Sequence, residues 1–101
     1  IRDRINVIDY LNAHLTDDIT IDFLAEHFYL SRYHLMHAFK EETGYTIGNY
    51  LTTKRLLLAR DQIAQGESIT TACYACGFHN YSTFSRAYRK HFGCSPREQR
   101  N

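Results

Sequence analysis

One pattern occurs twice in this chain, and no other feature constrains the fold so tightly. Thr20, Ile21, Ala25 and Leu30 stand 48 places before Ser68, Ile69, Cys73 and Phe78. Beyond that point the offset is 49, pairing Ser31 with Asn80, Leu35 with Phe84, Phe39 with Tyr88, Lys40 with Arg89, Gly44 with Gly93 and Thr46 with Ser95. A single one-residue change of register requires two elements of kept length, with a turn one residue longer in the second copy. The repeated unit is therefore element, turn, element. Two copies of one reading unit imply two readings of one long ligand.

The elements are helical. The chain has one proline, five glycines and no sustained alternation of apolar and polar residues, so the fold class is all-α, with about seven helices. A first helix is expected from about Asp3 to Leu15, with Ile5, Ile8, Leu11 and Leu15 on one stripe. Thr20 suits the N-cap of a second helix, where Asp22 favours the positive end of the dipole and Leu24, Ala25 and Phe28 face inward. Ser31 caps a third that ends near Thr43, with Gly44 taking the left-handed conformation beyond it. A long helix from about Ile47 to Gln65, stopped by Gly66, links the copies. Ser68 and Asn80 cap the next two helices, Gly77 lies in the turn between them, and Gly93 closes the second copy. Pro96 opens a short last helix, where its missing N–H is not needed.

A length of 101 residues with 44% hydrophobic content supports one modest domain. The longest unbroken apolar runs, Leu56 to Ala59 and Ala72 to Cys76, are far too short for a membrane span, and the start of the chain does not resemble a signal peptide. A cytoplasmic protein is expected. A start at Ile1 is what excision from a longer protein, tag removal or processing would leave, and a companion domain outside this chain is expected. The net charge of +1 by itself argues against a polyanionic partner, but its distribution does not. Residues 1–30 carry two basic against six acidic side chains, whereas residues 31–101 carry ten against five. A basic remainder on an acidic leader is expected if one face meets phosphates and another does not.

A short helix, a tight turn and a second helix make up the helix-turn-helix arrangement, which places the second helix in the DNA major groove. With Leu35 at zero and about 100° per residue, Ala38 and Phe39 fall on its side, and Tyr33, His37 and Lys40 fall opposite. In the second copy Phe84, Ala87 and Tyr88 lie inside, leaving Ser82, Arg86 and Arg89 outside. Both outer faces suit bases and phosphates.

These residues resemble the AraC/XylS type of bacterial transcription regulators over nearly the whole chain. The second copy carries the sharper match, through Gly77-Phe78, Ser82, Phe84, Arg86, Tyr88, Arg89-Lys90, Gly93 and Ser95-Pro96. The first matches through Leu24-Ala25, Leu30-Ser31, Leu35, Phe39-Lys40, Gly44 and Tyr50-Leu51, and the linking helix through Arg55-Leu56 and Ala59. The chain departs from the family at Ala72, Cys73, Gln62 and Gln99, where a larger aliphatic, an alanine, a leucine and a tyrosine are common.

The resemblance implies a seven-helix DNA-binding domain made of residues 1–46 (first helix-turn-helix with its leading helix), 47–65 (linking helix) and 66–101 (second helix-turn-helix). A linking rod of roughly 19 residues at about 1.5 Å each spans about 28 Å, comparable to the roughly 34 Å between successive major-groove segments. One monomer would then read two adjacent grooves of an asymmetric site. Carried over residue by residue, the family's base-reading positions fall on Arg32, Tyr33, Met36 and His37 in the first copy and on Tyr81, Ser82, Ser85 and Arg86 in the second. Arg86 stands out because a guanidinium can bond both acceptors of the guanine edge. Phosphate contacts fall on Ser31, Lys40, Thr46, Asn80, Arg89, Lys90 and Ser95. Double-stranded DNA is the expected partner, with RNA polymerase and an effector-binding companion domain as further ones. No membrane partner and no cofactor in this domain are implied.

Two rival readings come from other classes. Cys73-x-x-Cys76-x-x-His79, with His91 or Cys94 downstream, has the look of a zinc or redox site. Cys73 and Cys76 nevertheless align with Ala25 and Phe28 on the inward face, where small core residues are the simpler account. Three cysteines give no complete disulfide framework. A helical protein-interaction module using Asp17, Asp18 and Glu26 is the other rival. An enzyme is not expected, since no Gly-rich phosphate loop and no activated nucleophile is present.

Overall fold

A computed structural model describes residues 2–100, with side chains from Val7 to Gln99. Ile5, expected on the stripe of the first helix, lies outside the described side chains. Seven helices follow in order: α1 (Arg2–Ala13), α2 (Ile21–His27), α3 (Arg32–Thr43), α4 (Ile47–Ala64), α5 (Ile69–Ala75), α6 (Tyr81–Phe92) and α7 (Pro96–Arg100). The chain divides into two compact units, Ile1–Leu51 and Thr52–Asn101, and the division falls inside α4.

Local chemistry sets most of the boundaries. The side chains of Thr20, Ser31, Ser68 and Asn80 each accept the backbone N–H three residues on, at 3.0, 3.0, 3.0 and 2.7 Å. Each such bond satisfies an amide that the first helical turn leaves without a partner. Gly44 and Gly93 end α3 and α6 with the same φ of 82°, and each N–H returns to the carbonyl of Lys40 or Arg89. The first helix stops two residues before the expected Leu15. There the Asp17 N–H bonds the His14 carbonyl and the Asp17 carboxylate takes His14 Nδ1 at 3.1 Å, which turns the chain without a glycine.

The turn of the second copy is one residue longer, spanning 76–80 against 28–31. Each turn holds one residue with positive φ. It is Gly77 at 101° in the second copy but Tyr29 at 58° in the first, where no glycine marked it. L-residues avoid this region because Cβ crowds the backbone, and the tyrosine ring, 95% exposed, offers no packing in return.

Each unit has its own core. In the first, Val7, Leu11, Leu24, Ala25, Leu35, Phe39, Ile47 and Leu51 are buried together, and Ile8, Leu15 and Phe28 pack against them. Phe39 meets the ring of Tyr50 edge-on, and the Tyr50 hydroxyl donates to Asn12 at 2.7 Å. In the second, Leu56, Ala59, Ile63, Ala72, Cys73, Cys76, Phe84 and Tyr88 are buried. Phe84 touches the rings of Phe78, Tyr81 and Tyr88, and Arg60 of α4 lies 4.6 Å above the ring of Phe92. The inward faces of α3 and α6 therefore bury the pair Leu35/Phe39 and its counterpart Phe84/Tyr88.

Two of the four departures, Gln62 and Gln99, bond groups of this second core. Gln62 Oε1 accepts the Cys76 thiol at 3.6 Å, and Gln99 Oε1 accepts the Tyr88 hydroxyl. Both residues that replace an apolar or aromatic side chain thus bond a group on a buried residue.

Candidate nucleic-acid interface

With Leu35 and Phe39 buried, α3 exposes Arg32, Tyr33, Met36, His37 and Lys40. With Phe84 and Tyr88 buried, α6 exposes Ser82, Arg86, Arg89 and Lys90, while Tyr81 and Ser85 are half-buried. Tyr81 also packs against the second core. The positions expected to read bases in the first copy are thus exposed, and those of the second are led by Ser82 and Arg86.

Neighbouring groups distinguish the two faces. On α3 the rings of Tyr33 and His37 stack with centroids 5.3 Å apart, and His37 Nε2 lies 3.4 Å from Glu41. Tyr33, His37 and Glu41 thus form a column along the outer side. At the start of the same helix, Arg32 Nε lies 3.1 Å from Asp22 of α2. On α6, Arg89 Nη1 lies 2.8 Å from Glu98 of α7. Among the described residues Lys40, Arg86 and Lys90 form no ion pair, so their full charge faces solvent.

The four cap residues proposed for phosphates have a prior use. The oxygens of Ser31, Asn80 and Thr46 accept helix N–H groups, with Asn49 N–H to Thr46 at 3.0 Å. Ser95 and Glu98 form a reciprocal pair in which the Ser95 N–H donates to Glu98 Oε1 at 2.8 Å and the Glu98 N–H donates to Ser95 Oγ at 3.1 Å. This is a capping box with proline at the first helical position. The Ser95 backbone bond and hydroxyl, followed by the Arg89 charge, hold the Glu98 carboxyl below the usual carboxylate range. The amide expected for a phosphate at Ser95 is therefore already bonded to a carboxylate.

Three features carry little or no signal in the sequence pattern. Asp22 suits the dipole of α2, but its pairing with Arg32 depends on how α2 packs on α3. Glu98 had a local signal, since Ser95-x-x-Glu98 is a capping-box spacing. An open groove of about 780 Å³ runs beside α3, floored by Ile19, Ile21, Leu24, Ile47 and Leu51 and edged by Tyr33, Met36, His37 and Lys40. It makes one flank of α3 apolar while the crest stays polar.

Two of the three thiols are core groups, and Cys94 is half-buried. Cys73 and Cys76 are fully buried, and burial raises both, with Cys76 pushed up to about 11 by burial and then by the neighbouring Cys73. A thiol held protonated is a poor metal ligand and a poor nucleophile. Cys73 Sγ donates to the Asn80 carbonyl at 3.9 Å, behind the cap of α6. Among the described residues, no group of three or more His, Cys, Asp or Glu side chains is placed to hold a metal ion. Nor is any helix among them long and apolar enough to cross a membrane.

Solved structures of similar proteins carry the same architecture. A family model described as a helix-turn-helix domain matches residues 24–101. The HTH-type transcriptional activator RhaS of Escherichia coli O139:H28 (strain E24377A / ETEC) is 37% identical over 99 residues, which is 96% of this chain but 36% of that protein. A solved transcriptional regulator with an AraC-type DNA-binding domain, from Chromobacterium violaceum, is 31% identical with a TM-score of 0.86, over 98% of this chain and 89% of that one. The DNA-binding domain of the global transcriptional factor AdpA, solved in complex with a target DNA, is 26% identical with a TM-score of 0.89, over 96% of this chain and 88% of that one.

Proposed function

The chain belongs to the AraC-type helix-turn-helix family of transcription regulators, and from that premise we propose that α3 and α6 read double-stranded DNA sequence-specifically in adjacent major-groove segments. One observation carries this reading. Two helices with equivalent buried faces expose different polar crests, and both crests hold cations with no internal ion pair, Lys40 on one and Arg86 and Lys90 on the other.

Roles follow from chemistry and position. Arg86 reads a guanine edge through two N–H donors. Tyr33, Met36 and His37 read beside Arg32 in the first copy, where a methionine or aromatic side chain suits a thymine methyl, and Tyr81, Ser82 and Ser85 flank Arg86 in the second. Lys40 and Lys90 meet phosphates, and Arg89 joins them where DNA competes with Glu98. Ser31, Asn80 and Thr46 act on phosphates through the helix starts they cap, and Ser95 does so only where a phosphate displaces the Glu98 carboxylate. The unequal crests imply an asymmetric site.

The chain spans 36% of the length of its curated relative RhaS. We therefore extend the proposal to the longer protein: transcription regulation in the bacterial cytoplasm, with RNA polymerase and an effector-binding domain as partners.

Selection of bound duplexes from a random pool at stated salt tests the reading, followed by titration of the selected site with Arg86→Ala. The substitution should cost about 1–3 kcal/mol and relax preference at one base pair. Melting should move little, because Arg86 has no internal partner among the described residues. An unchanged base preference would remove Arg86 from direct readout, and duplex binding indifferent to salt would remove DNA as the ligand.

A further inference from the structure

We propose that Asp22 is a positioning residue that holds Arg32 in the orientation needed to read a guanine, so that base discrimination by the first copy depends on a carboxylate outside its recognition helix. The proposal rests on the DNA-reading function given above.

The geometry lies in one contact. Asp22 Oδ1 sits 3.1 Å from Arg32 Nε, and the two side chains are 76% and 65% exposed. Arg32 is the first residue of α3, at the end of the helix that enters the groove. A guanidinium carries five N–H donors in a flat fork, one on Nε and four on the two terminal nitrogens. It can meet the guanine O6/N7 edge end-on, through both terminal nitrogens, or side-on, through Nε and one of them. With Nε bonded to Asp22 only the end-on mode remains, and no second ion pair of Arg32 exists among the described residues. The same contact limits the rotamers of a long side chain that would otherwise have to be ordered on binding.

The duplication supplies a control within the chain. At the position of Asp22 the second copy has Thr70, and at that of Arg32 it has Tyr81, which packs against the second core. The helix-turn-helix scaffold therefore forms without this pair. An exposed carboxylate beside a site for a polyanion also weakens general attraction. Positioning thus has a signature that a purely electrostatic role lacks: removing Asp22 should strengthen binding to unrelated duplexes while weakening the preference for one base.

The test uses the selected site and its single-base-pair variants, titrated with the wild type, Arg32→Ala, Asp22→Ala and Asp22→Asn. Arg32→Ala should reduce discrimination at one G·C pair by about tenfold or more. Asp22→Ala should reduce it at the same pair by roughly three- to tenfold while unrelated duplexes bind no more weakly. Asp22→Asn keeps an oxygen acceptor for Nε and should retain most of the discrimination despite losing the charge. Far-UV circular dichroism of each variant checks that the helices are intact. If Asp22→Ala shifts all duplexes by one common factor, Asp22 is only a charge and the proposal is wrong; it is equally wrong if Arg32→Ala leaves every preference in place. Either result, with Arg86→Ala still altering specificity, leaves the DNA-reading function standing. A wild type without any preference among duplexes would overturn both.

Discussion

Tyr29→Gly should stabilise the chain. Tyr29 sits at φ 58° while its counterpart in the second turn is Gly77 at 101°. The bonds that shape this turn belong to the backbone: Tyr29 N–H to the Glu26 carbonyl at 3.3 Å and Leu30 N–H to the Ala25 carbonyl at 2.8 Å. Both survive the substitution. The ring is 95% exposed, so its removal sacrifices almost no burial. Relief of the left-handed conformation is worth about 1–2 kcal/mol, against which glycine adds about 0.4–1 kcal/mol of freedom to the unfolded chain. The net gain is about 0.5–1 kcal/mol, which raises the melting temperature of a domain this size by roughly 2–8 °C. Tyr29→Ala is the control, because it removes the ring and keeps the strain. Thermal unfolding followed by circular dichroism should therefore place Tyr29→Gly above both Tyr29→Ala and the wild type. If the glycine variant melts at or below the alanine variant, the backbone at this turn stores no strain and the reasoning fails. Duplex affinity of the same variants adds a second readout, since strain kept at a functional turn would show as weaker binding alongside higher stability.

Three further substitutions test separate parts of the account. Lys40→Ala should weaken binding to all duplexes by a similar factor and lower the salt slope by about one unit, with melting nearly unchanged; a base-specific loss would make Lys40 a reader. Glu98→Gln tests the capping box through pH. Because the folded carboxyl titrates below its ordinary value of 4.5, its contribution is present above that value and is lost as pH falls through the folded one. The melting temperatures of wild type and variant should differ at neutral pH and converge as pH falls through the depressed folded value, whereas a separation that stays constant from neutral pH through the acid range would reject the assignment. Gln62→Leu replaces a half-buried amide by the side chain common in the family. It gives up one weak bond from the Cys76 thiol and should stabilise by up to about 1 kcal/mol in urea unfolding; a loss of that size would show that the thiol needs its acceptor.

What was legible in the sequence is what is decided locally. Thr20, Ser31, Ser68 and Asn80 cap helices because a short polar side chain reaches an amide three residues away, and that reach does not depend on the rest of the fold. The register shift from 48 to 49 was readable because chain length is conserved through a turn whatever its conformation. The identity of the left-handed residue was not readable in the first copy, since tyrosine carries no signal for positive φ. The end of α1 escaped for a related reason: the stripe continues to Leu15, which still packs on the first core after the helix has stopped.

The site divides in the same way. Which side chains of α3 and α6 face outward followed from a period of about 3.6 residues, and Leu35, Phe39, Phe84 and Tyr88 are buried as that period requires. How the outward cations are held did not follow, because each ion pair to a neighbouring helix depends on the angle at which two helices meet. Arg32 with Asp22 and Arg89 with Glu98 both cross between elements, while Arg86 is left without an ion pair. This difference bears on function more than the count of basic residues does. Repeated cores fix two backbones alike, so the copies can diverge only at exposed positions, where substitution costs the fold little. There the arginines proposed to read bases differ: Arg32 is held by a carboxylate at the start of α3, whereas Arg86 is left free at mid-helix on α6, one turn before an Arg89 that Glu98 holds. A held guanidinium meets its base with less ordering and less attraction to phosphate, and a free one with more of both. On the proposed reading the first copy discriminates and the second adds affinity as well, an inequality that a comparison of salt slopes for Arg32→Ala and Arg86→Ala tests directly, the larger drop being expected for Arg86→Ala.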